Sequence, residues 1–93
     1  MKKIKKTNNK IKTAEISQDK YFYLNDGRCL RNLKELADVL KNMPENMFKY
    51  HVTKDKNDFV NWVKDVFGNK KLASDLMKMK TAKSAGKKIE ASL

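Results

Sequence analysis

Apolar residues fall into a succession of short, differently spaced patterns along this chain, and each spacing implies an element. Tyr21-Phe22-Tyr23-Leu24 is an aromatic run, followed by Asn25-Asp26-Gly27 and then by Arg28-Cys29-Leu30. Asp-Gly between two apolar runs predicts a β-hairpin with a type I′ turn, whose two central residues both take positive φ. Tyr21 and Tyr23 then share one face of the strand and Phe22 takes the other. Two short strands are marginal by themselves, so this hairpin must lean on helices.

Leu33, Leu36, Ala37 and Leu40 recur at i, i+3, i+4 and i+7, the stripe of an amphipathic helix. Asn32 caps it, and Glu35 three residues on completes a capping-box-like pair. Met43-Pro44 stops it, because the residue before a proline avoids the helical region. Pro44 suits the first turn of a short second helix reaching about Tyr50, with Met47, Phe48 and Val52 as its apolar contacts. Thr53-Lys54-Asp55-Lys56-Asn57 is polar and reads as a loop.

A third helix starts at Asn57 or Asp58. Its Phe59, Val60, Trp62, Val63, Val66 and Phe67 cover more than half the circumference, which marks the central helix of the core. Gly68 ends it by accepting a left-handed conformation. Asn69 caps a fourth helix, in which Leu72, Ala73, Leu76 and either Met77 or Met79 repeat at helical spacing. Beyond Lys80 the pattern dissolves. The expected fold is α+β and mostly helical, an N-terminal β-hairpin followed by three or four short helices. Residues 1–19 read as a disordered basic arm, 20–79 as the hairpin-plus-helices domain and 80–93 as a flexible basic tail. Both ends hold too few apolar groups to offset the entropy of ordering them.

At 93 residues the chain makes one small domain with a thin core, which leaves little room for a deep substrate pocket. Charge changes the picture more than length does. The net charge is +11, with seven lysines in residues 1–20 and four in 80–93, while residues 21–79 hold eleven basic and eight acidic groups. Such a distribution favours a polyanionic partner: nucleic acid, an acidic protein or an anionic surface. Lysine outnumbers arginine twenty to two, which suits phosphate contact better than bidentate reading of bases.

Cys29 is the only cysteine, so no internal disulfide and no thiolate zinc cluster can form, and a reducing compartment fits best. The N-terminal lysines are followed by no apolar run of the secretory kind, and no stretch approaches the length of a membrane span. The tail Met1–Lys12 also lacks the wide apolar face of a membrane-surface helix. The chain is expected in the cytoplasm, with a nucleoid or a ribonucleoprotein as its setting.

Several of these pieces occur together elsewhere. The aromatic strand with Asp26-Gly27, Leu33-Lys34-Glu35-Leu36-Ala37, Phe48-Lys49-Tyr50-His51-Val52, Asn57-Asp58-Phe59-Val60-Asn61-Trp62-Val63, and Val66-Phe67-Gly68 with Leu72-Ala73 resemble a family of small uncharacterised domains of archaeal and bacterial proteins. The resemblance spans about Tyr21 to Leu76. It supports the boundaries and the fold, and it implies no activity. The basic tails fall outside it.

Candidate chemistry is sparse. His51, the only histidine, has no nucleophile or paired carboxylate beside it in the pattern, and reads as a hydrogen-bonding lock on the Asn57-Asp58 turn. Cys29 and His51 together are too few ligands for a metal. Asn57-Asp58 reads as a helix cap. Trp62 reads as core rather than as an exposed stacking platform, given its apolar neighbours. In so small a protein one face of the aromatic strand, Tyr21 with Tyr23 or Phe22, must be partly exposed. Core packing is the expectation for the strand, although, beside Arg28 and Arg31, it is the best-placed aromatic group for touching bases. The methionines read as packing groups. Gly86, in Lys-Ser-Ala-Gly-Lys-Lys, lacks the first glycine and the strand of a phosphate-binding loop.

The expected function is therefore non-enzymatic binding of nucleic acid, DNA or RNA, largely independent of sequence and without a cofactor, a metal or a small-molecule substrate. Lys2, Lys3, Lys5, Lys6, Lys10 and Lys12 form one phosphate-binding arm, and Lys80, Lys83, Lys87 and Lys88 the other, with Arg28 and Arg31 near the aromatic strand. The alternative is a protein-interaction module whose basic tails serve solubility or dock on an acidic partner.

Overall fold

The computed structural model describes residues 16–93. A 3-10 turn at Gln18–Lys20 leads into a two-stranded antiparallel hairpin, β1 (Phe22–Tyr23) and β2 (Cys29–Leu30), with Phe22 opposite Leu30 and Tyr23 opposite Cys29. Five helices follow: α1 (Leu33–Lys41), α2 (Glu45–His51), α3 (Asp58–Phe67), α4 (Lys70–Leu76) and α5 (Ala82–Ser92). The α+β, mostly helical class with the hairpin leading the helices is as the sequence predicts. The fifth helix is additional.

The hairpin turn differs from the expected type I′. Gly27 alone in the loop has positive φ, at 96°. Its N–H donates to the Leu24 carbonyl at 3.0 Å, and the Leu24 N–H donates to the Arg28 carbonyl at 2.8 Å. A three-residue loop, a turn closed by a left-handed glycine, thus takes the place of a two-residue turn, and Asp26 avoids the costly left-handed region.

Helix starts follow the side chains that cap them. Asn32, Asn57 and Asn69 accept from the N–H groups of Glu35, Val60 and Leu72 at 2.9–3.1 Å, so α1, α3 and α4 each satisfy an otherwise orphaned donor. Gly68 closes α3 at φ 65°. Glu35 does not complete a capping box with Asn32. It accepts from the N–H of Arg31 at 2.8 Å and binds that residue's guanidinium as well, because a charged fork competes better than a lone backbone donor.

Leu33, Leu36, Leu40, Val63 and Ile89 are the largest fully buried side chains. At the other end of the core, Phe22 stacks on Phe59 with ring centroids 5.1 Å apart and meets Trp62 edge-on at 5.5 Å. Tyr23 is exposed and Tyr21 half-buried, so the pleat puts Phe22 inside. Trp62 is buried, and its indole N–H donates to the Lys20 carbonyl at 2.8 Å. That bond ties the 3-10 turn to α3, and Ile16 packs against the same core. Residues 16–19 of the expected arm are therefore placed, and residues 1–15 of it lie outside the described part.

Residues 80–93 are not a flexible tail. Thr81 caps α5 by accepting from the Ser84 N–H at 3.1 Å, and the Ser84 hydroxyl accepts in return from the Thr81 N–H. Ala82, Ala85, Gly86 and Ile89 then form a buried face packed against α1. The face escapes a reading of hydrophobicity because most of it is small. Its stabilisation comes from close approach of two backbones together with the burial of Ile89.

Candidate nucleic-acid interface

Charge in the described fold is partitioned by helix. Residues 33–69 carry six basic and six acidic groups, whereas residues 70–93 carry seven lysines against Asp75 and Glu90 alone. The pairing sharpens the contrast. Asp75 takes both Lys71 and Lys88, at 3.6 and 3.5 Å, and Glu90 is bound by Lys41 of α1 at 2.7 Å. Lys70, Lys78, Lys80, Lys83 and Lys87 remain exposed and without an ion-pair partner among the described residues.

Their display follows from the packing. Burial of Ala82, Ala85, Gly86 and Ile89 turns the opposite side of α5 outward. Lys83 and Lys87, four residues apart, share that outer side, and Lys80 stands just ahead of the Thr81 cap. Lys88 belongs to the seam between α4 and α5 rather than to the outer face. Of the four C-terminal lysines expected to bind phosphate, three face outward on or beside an ordered helix and Lys88 is paired with Asp75. The lysines at 2, 3, 5, 6, 10 and 12 lie outside the described residues.

Arg28 and Arg31 are engaged differently from expectation. The Arg28 Nε donates to Asp26 at 2.8 Å, and the Arg31 guanidinium binds Glu35 at 2.7 and 3.1 Å. The hydrogen bonds from Arg31 hold the Glu35 carboxyl below its ordinary range, and Glu35 raises the Arg31 guanidinium in turn. Both residues line a shallow depression of about 640 Å³ with Tyr21, Cys29, Glu35 and Asp38. Two carboxylates there offset the two guanidiniums, so this surface offers a polyanion no net attraction.

Among the described residues, His51 is the buried polar side chain of the core. Its Nδ1 lies 3.0 Å from the Asp58 carboxylate, and its Nε2 accepts from the Asn25 N–H at 3.3 Å, which assigns the ring proton to Nδ1. One imidazole thereby ties the hairpin loop, the end of α2 and the start of α3. Both nitrogens are spent on that task.

A second recess, of about 460 Å³, was not visible in the sequence pattern. Residues 52–57 fold back through a bridge between Val52 and Asn57, with Thr53 Oγ1 accepting from the Asp55 and Lys56 N–H groups at 3.2 Å. The turn sets Lys54 and Asn57 beside Asn61 and Lys64 of α3 and Met77 at the end of α4. Met77 is 69% exposed, whereas Met79 packs partly against the core, which decides between two residues the periodicity left equivalent. One signal was present: positions 57, 61 and 64 share the polar side of α3 at i, i+4 and i+7.

A model of a family of unknown function, DUF5752, matches residues 2–92. The chain belongs to that family. The match takes in both lysine-rich ends and the segment that forms α5, beyond the stretch from Tyr21 to Leu76 that carried the resemblance. No curated protein and no solved structure matches the chain.

Proposed function

We propose that this DUF5752 chain is a non-enzymatic nucleic-acid-binding protein whose ordered contact surface is the α4–α5 pair. One observation carries the reading: the charge excess of residues 70–93 is five, and the five lysines behind it are exposed and unpaired among the described residues. Lysines on a docked helix bind phosphate with less loss of backbone freedom than the same lysines on a mobile tail. Contacts of this kind are largely independent of sequence, because phosphates carry no base information. The six N-terminal lysines add to the same attraction. A cytoplasmic setting, on DNA or on a ribonucleoprotein, follows from the partner. Among the described residues no helix is long and apolar enough to cross a membrane.

The test is a titration of the full chain with labelled duplex DNA, single-stranded DNA, RNA and polyglutamate over a salt series. Each neutralised phosphate contributes about −0.9 to the log–log slope on a duplex, so engaging five lysines predicts roughly −4 to −5. Absence of nucleic-acid binding at low salt overturns the proposal. Equal binding of polyglutamate overturns it in favour of an acidic protein partner.

A further inference from the structure

We infer that the recess between the 52–57 turn, α3 and the end of α4 accepts an unpaired nucleotide, and that the nucleic acid bound by this protein is single-stranded. The inference rests on the nucleic-acid reading and adds the strand state and a site. Its wall combines three chemistries. Lys54 and Lys64 are exposed cations with no ion-pair partner among the described residues, and with Lys56 they outnumber Asp55, the carboxylate that also lines the recess. Lys56 is already committed, donating to Asp58 at 3.0 Å and lying 5.5 Å over the Tyr50 ring.

Amide groups supply the second chemistry. Asn57 uses its Oδ1 to cap α3, which leaves its Nδ2 donor, and the Asn61 side chain is exposed with no hydrogen-bond partner among the described residues. Met77 supplies the third, an exposed thioether against which a flat ring can lie. Duplex DNA encloses its bases and presents chiefly phosphates and groove edges. A hollow lined with amides and an apolar contact serves a base that is splayed out of a stack, its edge toward the amides and its flanking phosphates toward the lysines. The recess also adjoins the basic surface: Met77 and Met79 lie on the segment joining α4 to α5, beside Lys78 and Lys80. A strand following Lys87, Lys83 and Lys80 runs toward it.

The test compares three proteins: the full chain, the Lys54→Gln/Lys64→Gln/Asn61→Ala variant and the Lys80→Gln/Lys83→Gln/Lys87→Gln variant. Each is titrated with a 20-nucleotide single-stranded RNA, the same strand as DNA, and the matching duplex, with thermal melts to confirm folding. The unmodified chain should bind both single strands more tightly than the duplex. The recess variant should lose about ten-fold or more on single strands at 0.1 M salt, and less than about two-fold on the duplex, since each lost phosphate contact removes about 0.7 from the single-strand slope. The α5 variant should weaken on all three. Equal loss on single strands and duplex, or no loss in the recess variant while the α5 variant loses binding, overturns the recess and leaves the nucleic-acid reading standing. Failure of the unmodified chain to bind any of the probes overturns both.

Discussion

Gly86 of α5 faces Ala37 of α1 so closely that a Cβ on residue 86 would stand 2.9 Å from the Ala37 carbonyl oxygen. The same Cβ would lie 2.9 Å from the Lys41 backbone nitrogen, so two rigid groups, not one flexible side chain, define the fit. The helices are pinned beside this crossing by the ion pair of Lys41 with Glu90. A helical glycine here is a packing requirement that outweighs its poor propensity.

Gly86→Ala tests that balance. Alanine gains about 1 kcal/mol in helix propensity, but overpacking a close contact costs about 1–3 kcal/mol, so the variant should be less stable and Gly86→Val much less so. Urea unfolding followed by circular dichroism measures it. A more stable Gly86→Ala protein would show that α5 does not approach α1 in this way.

Removing residues 80–93 should expose the α1 face that α5 covers. Loss of Ile89, Ala82 and Ala85 from the core, all nearly inaccessible, should abolish cooperative thermal unfolding. A sharp melt in the truncated chain would contradict a structural role for α5. Nucleic-acid titrations should therefore use the lysine-to-glutamine variant rather than the truncation.

Trp62→Phe keeps most of the ring volume and loses the bond to the Lys20 carbonyl, so it should cost about 1 kcal/mol, whereas Trp62→Ala should cost roughly 3–5 kcal/mol. Calorimetry of the pair separates packing from hydrogen bonding. Equal losses would mean that the indole N–H, not the ring, dominates.

His51→Ala leaves the Asn25 N–H and the Asp58 carboxylate without their shared partner. The expected loss is about 2–3 kcal/mol, with the Asn25 amide exchanging much faster in hydrogen-exchange spectra. An unchanged Asn25 exchange rate would argue against the lock.

Acid should weaken the fold partly through Glu35. Hydrogen bonding from Arg31 depresses the folded-state value of Glu35 below its ordinary 4.5, so its stabilisation is present above that value and is lost as pH falls through the folded-state value. Thermal melts of the full chain and Glu35→Gln between neutral pH and pH 3 should converge on acidification. Parallel curves would remove the Arg31–Glu35 pair from the account.

The elements that short-range physics controls were legible in the residues themselves. An asparagine cap acts three residues ahead and an apolar stripe repeats within a turn or two, so the starts of α1, α3 and α4, the left-handed Gly68 and the buried Trp62 all follow from neighbours, whereas which face of the aromatic strand turns inward did not. The basic character of the chain was equally plain in its composition. Tertiary packing decided the rest. The run of Ala, Gly and Ile after Lys80 has too little hydrophobicity to announce a helix, and becomes one because α1 offers a surface that small residues can approach; Lys41 and Glu90, which pin that contact, are 49 residues apart. Glu35 had two donors within reach, and the guanidinium of Arg31 won it from the Asn32 backbone. The recess brings the 52–57 turn together with Met77, and no periodicity encodes that meeting. Local signals set where each helix begins and which side is apolar, but which lysines are spent within the fold and which face solvent depends on partners that only the packed chain brings near.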